Sequence, residues 1–314
     1  MTVFTVVSAS GSPGVTSTAV GLSLCWPRPV LLVDADPTGG ASVLAGYLRG
    51  TRTATTGLLH LAIAFRGGYG PEALPEVTMT LSERVRFVPG TTAHDQARGL
   101  VGLWEPLAGV LRGVGEGGQD VLVDGGRLGL VGSPEPLIAG SDVILLVCRS
   151  DLVALSAARS WVATLSGTAG GGPALGLLLV EVPGGYSARE VARFLRVGVV
   201  AQLPWDPAGA AVYGHGAGLP GRRGWRRREP VLPRALVAAG EAVRATVAPA
   251  PAPAPAGSPE AGVPPQVPAD GAVATPAPAP ASDPAPASAS GWSKAGRRGA
   301  GRTEMVRSDA GGAR

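Results

Sequence analysis

With 314 residues the chain has room for two average domains, but its composition breaks near residue 248, and only the part before the break looks able to fold. The net charge of +4 does not describe a basic fold, because residues 291–314 alone carry Lys294, Arg297, Arg298, Arg302, Arg307 and Arg314 against Glu304 and Asp309, which is already +4. Cys25 and Cys148 lack any partner spacing, and no apolar run approaches the ~18 residues of a membrane span, which excludes a disulfide framework, a cysteine zinc site and a transmembrane helix and sets the expectation of a soluble cytoplasmic protein.

Short β-branched apolar runs predict strands at residues 3–7, 30–33, 85–88, 121–123, 143–147, 175–180 and 197–200. Apolar residues on consecutive positions suit strands buried on both faces, so the expected fold is α/β, a doubly wound and mostly parallel sheet between two helix layers. Helix starts are signalled by Asp151, by the capping box from Ser187 to Glu190, and by Asp206 followed by Pro207. Residues 167–173 read as a flexible connector. A last helix over 232–247 sets Leu232, Leu236, Ala239, Val243 and Val247 on one stripe, with Arg234, Glu241 and Arg244 off it, and is expected to close the core.

Just before that helix, Arg222, Arg223, Arg226, Arg227 and Arg228 surround Trp225, a run that suits DNA backbone or anionic lipid, with a solvated loop as the plainer alternative. Residues 248–290 are almost entirely Ala, Pro, Gly and Ser and bury too little to offset chain entropy, so a semi-stiff disordered linker is expected, followed by a basic disordered tail over 291–314. The folded domain is expected to be 1–247.

The segment after the first strand has the strand, glycine-rich turn and helix order that presents backbone amides to phosphate. Set against G-x-x-x-x-G-K-[ST], Ala9 takes the first glycine, Gly14 the second, Val15 the lysine and Thr16 the hydroxyl. Further on, the strand at 30–33 runs into Asp34-Ala35-Asp36-Pro37, and the strand at 121–123 runs into Asp124-Gly125-Gly126. Residues 202–206 read Gln-Leu-Pro-Trp-Asp. His60, His94 and His215 are scattered and have no metal spacing.

In order and spacing these segments resemble the ParA/MinD-type P-loop ATPases over roughly residues 1–245. The resemblance implies that Gly11, Gly14, Val15, Thr16 and Ser17 surround the phosphates of ATP or ADP and that Pro204 belongs to the loop over the adenine. It further implies Thr16 as a direct Mg²⁺ ligand, Asp124 as a metal contact through water, and Asp36 in the catalytic position near the Mg²⁺-bound water or the γ-phosphate. It also implies a homodimer around the nucleotide.

The departures are as informative. The family's cross-dimer lysine falls on Ser10 and the Walker lysine on Val15, and Lys294 is the only lysine in the sequence. Losing these ammonium groups removes electrostatic stabilisation of the transferring phosphoryl group, so slow or absent hydrolysis follows. Arg127 and Arg149 are the candidates to replace that charge.

Two functional readings result. One is a regulatory or positioning switch for chromosome partitioning, division-site placement or pilus assembly, with weak nucleotide binding, acting in the cytoplasm or peripherally at membrane or nucleoid. The other is a nucleotide-free scaffold that keeps only the fold's protein contacts. A ligase-type relative is disfavoured, because no second catalytic constellation is visible.

Overall fold

The computed structural model describes residues 2–10, 14–166, 172–218 and 231–247. In chain order these form β1 (Val3–Ser8), α1 (Val15–Leu24), β2 (Val30–Asp34), α2 (Leu58–Arg66), β3 (Met79–Thr80), β4 (Val85–Val88), α3 (Ala97–Leu100), α4 (Trp104–Glu116), β5 (Asp120–Arg127), α5 (Glu135–Ala139), β6 (Val143–Arg149), α6 (Leu152–Ser166), β7 (Ala174–Glu181), α7 (Ala188–Leu195), β8 (Val199–Pro204), α8 (Pro207–His215) and α9 (Val231–Ala245). They belong to one unit, Met1–Ala252. The expected linker at 248–290 and tail at 291–314 lie outside the described residues, as do Gly11 and the arginines at 222–228.

The strands make one sheet in the order β3-β4-β2-β5-β1-β6-β7-β8. Every pairing is parallel except β3 with β4. Every residue of β1 and of β2 is buried, as expected of central strands covered on both faces. Alternation then sorts side chains by face: Leu32, Leu122 and Leu145 pack against α1, α8 and α9. Leu31, Val33 and Val123 pack against α2 and α4, while Ile144, Leu146 and Leu177 pack against α6 and α7. Each fully buried Leu, Val or Phe contributes about 1.5–3 kcal/mol of transfer free energy, so the sandwich is held mainly by this apolar burial.

Local signals act where the sequence puts them. Asp151 accepts the Ala154 amide at 2.9 Å, Ser187 and Glu190 form the capping box, and Asp206 accepts the Gly209 amide at 2.9 Å above Pro207. The stripe of α9 is buried from Leu232 to Val243, with Val247 packed at its margin, and closes the core. Beyond it, Arg244 Nε meets the fully buried Asp120 Oδ2 at 3.1 Å, and the Trp26 indole donates to the same oxygen at 3.0 Å.

Three strand expectations need correction. β3 was not foreseen, since two half-exposed residues carry no periodicity. β5 continues through Asp124 to Arg127, so Asp124 lies within the strand instead of following it. β8 is Val199–Pro204, shifted toward the C-terminus from 197–200, which puts Pro204 at a strand end; only β7 pairs with this edge strand, so a proline there costs little.

Candidate functional site

Parallel doubly wound sheets open a crevice at the carboxyl ends of their strands, where neighbouring connections leave on opposite sides. Here β5 lies between β1 and β2, and the register sets Asp34 beside Asp124 and Asp124 beside Val6. Three segments, after β1, at the end of β2 and within β5, therefore meet at one edge.

Gly14 precedes α1 at φ +89°, the left-handed region that glycine enters without strain, and its carbonyl accepts the Thr18 amide at 2.8 Å. Among the described residues no side chain caps α1. Its first-turn amides thus face the crevice with the positive end of the helix dipole behind them, an arrangement suited to an anion. Beside this turn is an open cleft of 520 Å³ lined by Gly14, Val15, Thr16, Ser17, Asp36 and Arg127 among others. The structure therefore brings together Gly14, Val15, Thr16, Ser17 and Asp36, as the sequence suggests. Val15 also belongs to the hydrophobic core and is only 8% exposed, so an apolar group fills much of the place where the resemblance expects an ammonium.

The acidic side of the cleft is strained electrostatically. Asp124 is 1% exposed; Oδ1 accepts the Gly126 amide at 3.1 Å, and Oδ2 is buried without a hydrogen-bond partner among the described residues. Burial and the Asp36 charge push its pKa up to about 7, against the opposing effect of the Thr16 hydroxyl and the Gly126 amide. Asp34 is driven well above the carboxylate range, by burial first and then by Asp124 and Asp36, although the amides of Asp36 and Gly90 pull it back. Asp36 accepts the Thr38 amide at 2.9 Å. Gly126 holds φ +63°, and a Cβ there would stand 2.5 Å from the Asp36 carboxylate, so only glycine lets β5 pass so close.

A raised carboxylate pKa means that Asp124 supports the fold when protonated and loses that contribution as pH climbs from 3.8 toward about 7. Protein free of ligand should accordingly become less stable over that window. Asp124→Asn should flatten the profile and raise stability at pH 8 by roughly 1–2 kcal/mol, a reduced figure because the neighbouring buried Asp34 carboxyl is raised as well. Urea denaturation of both forms from pH 5 to 8 measures this, and parallel profiles would contradict it.

An orphaned buried carboxylate oxygen beside a hydroxyl is a hard donor set, fitting Mg²⁺ better than a softer metal. Among the described residues no group of three His, Cys, Asp or Glu side chains is placed to hold a metal ion. The remaining ligands of such an ion would have to be water and the oxygens of a bound anion.

A second arm of 180 Å³ adjoins the first through Gly14 and Ser17, and it is mostly apolar, with Val180, Leu203, Pro204, Leu232 and Leu236 in its walls. The Arg149 guanidinium lies 5.2 Å over the Trp205 ring at its edge. Arg127 thus stands on the polar arm and Arg149 on the apolar one. Sequence reading names Trp205 only within the loop at 202–206 and misses Asp34, Gly126 and the two leucines of α9 as members of the site. Trp205 had a signal, an aromatic next to Pro204; the leucines had none, since their apolar stripe is explained by the core.

No protein-family model and no curated protein matches the sequence. Solved structures do. The chain resembles the cell division ATPase MinD of Pyrococcus furiosus (19% identity, TM-score 0.61, covering 78% of this chain and 99% of that one). It also resembles a ParA family ATPase from Chlorobium tepidum (15%, 0.60, 76% and 97%) and the septum site-determining protein MinD of Pyrococcus horikoshii complexed with Mg-ADP (18%, 0.59, 77% and 95%). The fold is that of the MinD/ParA-type P-loop proteins.

Proposed function

We propose that this chain is a MinD/ParA-like regulatory or positioning protein that binds Mg-nucleotide weakly and hydrolyses it little. The observation that carries the reading is the buried Asp124 Oδ2, without a hydrogen-bond partner among the described residues, near Thr16 in the first turn of α1 and with an apolar arm adjoining that turn. First-turn amides of α1 would receive phosphate, the Thr16 hydroxyl would ligate Mg²⁺, Asp124 would hold it through water, and Asp36 would border the γ-phosphate. The metal would supply charge neutralisation between the carboxylates and the phosphates. Ser10 and Val15 leave the transferring group without its two ammonium partners, hence the low turnover. Structures sharing the fold include a MinC:MinD cell division complex and a putative plasmid partition protein bound to AMPPNP, which supports partitioning or division-site placement as the setting; a homodimer around the nucleotide belongs to the same proposal. Contact of the arginines at 222–228 with DNA or anionic membrane, and pilus assembly as the process, belong to the same proposal.

The buried Val15 favours a second reading, a scaffold that has given up nucleotide and keeps the fold for protein contacts. Thermal shift with ADP and Mg²⁺ separates the two. At ten times Kd a ligand adds about 1.4 kcal/mol of stability. That shift should vanish in Asp124→Ala and in Asp36→Ala. A shift unchanged in both variants places the site elsewhere, and none in the parent chain favours the scaffold.

A further inference from the structure

Where β1 and β5 run side by side, their register slips by one residue. Val6 pairs with Asp124 and Ser8 with Arg127, so that Gly125 and Gly126 together stand opposite Val7. Two residues against one make a β-bulge, and a bulge re-aims the side chain that follows it. In an unbroken strand successive side chains alternate between the faces of the sheet, which would send Arg127 to the face opposite Asp124. Gly125 still obeys that alternation, since a Cβ on it would stand 2.9 Å from the side chain of Val7, which packs on the α6 and α7 side. Gly126 then takes φ +63° and cancels one step. In register with Ser8, Arg127 leaves the sheet on the face of Val6 and Asp124, the face that α1 covers.

The re-aimed side chain lines the polar arm together with Gly14, Thr16 and Asp36. Among the described residues of that arm it is the one basic side chain. It is exposed, and its guanidinium has no hydrogen bond or ion pair among the described residues. Arg149, the other arginine near the turn, lies over the Trp205 ring beside the apolar arm.

We propose that Arg127 is the cationic contact for the phosphates of a bound nucleotide, meeting them from the β5 side of the cleft while the first-turn amides of α1 meet them from the other. The proposal rests on the nucleotide reading above and adds the residue that supplies positive charge where Val15 cannot. A guanidinium is permanently charged and can give two parallel N–H bonds to one phosphate. The contact is one of binding, so the low turnover expected from the lysine losses stands.

Equilibrium dialysis of the full chain with ADP and with inorganic pyrophosphate, each with Mg²⁺, tests it on the parent, Arg127→Ala and Arg127→Lys. Arg127→Ala should weaken both ligands by a common factor of about ten or more, because the lost contact is to phosphate and not to the base. Arg127→Lys should fall between the parent and the alanine variant, since it keeps the charge and loses the fork. The urea midpoint of the ligand-free chain should stay where it is in both variants. Undiminished ADP affinity in Arg127→Ala would overturn the proposal while leaving the nucleotide reading intact. So would a lysine variant as weak as the alanine one, or an affinity loss matched by a loss of ligand-free stability, which would mean that Arg127 acts through the fold. A parent chain that binds neither ligand refutes the nucleotide reading and this proposal together.

Discussion

Val15→Lys should tighten Mg-nucleotide binding by about one to two powers of ten, the equivalent of roughly 1.5–3 kcal/mol for a charge-assisted hydrogen bond to phosphate. The geometry decides whether the ammonium gets there. Val15 opens α1 directly after Gly14 and borders both the core and the polar arm, so a longer side chain has the cleft as its way out. Its stem would cover the apolar surface that valine now covers while the charged head stays in the cleft. Asp36 on the same wall gives the head a partner when phosphate is absent. Turnover should remain near background until Ser10→Lys is added, because the second ammonium is still missing. Isothermal titration and phosphate-release assays on the single and double variants measure both effects. A well-folded Val15→Lys chain with unchanged affinity would show a turn that has abandoned phosphate; robust turnover in the parent chain that survives Thr16→Ala and Asp36→Ala would show another active site.

Arg244→Ala should cost about 2–3 kcal/mol of stability, toward the lower end of what removing one partner of a buried ion pair costs. Asp120 is fully buried, and its Oδ1 has no hydrogen-bond partner among the described residues, so the remaining indole hydrogen bond from Trp26 would have to support the charge alone. The discount reflects Arg244's 31% exposure, which lets water share the load. Pairing Arg244→Met with Asp120→Asn should recover at least half of the loss, since the charge left behind is removed with its partner. Urea denaturation of the parent chain and the two variants gives the comparison, and a single-variant loss below about 0.5 kcal/mol would mean that the pair contributes little. Because α9 also supplies Leu232 and Leu236 to the apolar arm, loosening it should weaken nucleotide binding in parallel.

The sheet was legible wherever burial on both faces imposed a continuous apolar run, as in residues 30–33 and 143–147. It was not legible where another force set the boundary. β5 runs on past Asp124 and two glycines because β1 pairs along it as far as Arg127, while β2 pairs only up to Asp124, a long-range constraint that no local pattern carries. β8 includes Gln202 and Pro204, which look like breakers but are harmless on an edge. Within the candidate site, Gly14, Thr16, Asp36 and Asp124 stand out through the resemblance of their motifs, and the structure brings Gly14, Thr16 and Asp36 to one cleft. Asp34 was quoted only as part of a motif, and its repulsion with Asp36 and Asp124 appears only once β2 and β5 lie side by side. The apolar arm joins β7, β8 and α9, segments some fifty residues apart, whose side chains read individually as ordinary core.

The position of β5 between β1 and β2 also has a consequence during synthesis. Among the described residues β1 pairs only with β5 and β6, so it has no partner until Asp120 and the residues after it have been made. At about 5–20 residues per second that interval lasts roughly 6–22 seconds. Throughout it, a strand that is buried along its whole length in the folded protein and one face of α1 must stay out of aggregates, with β2 and β4 the only parallel pair yet available among the described residues. Nascent chains stalled before residue 120 should therefore be the species most dependent on chaperones, and those stalled far enough beyond residue 149 for β6 to clear the exit tunnel should be the first to resist protease.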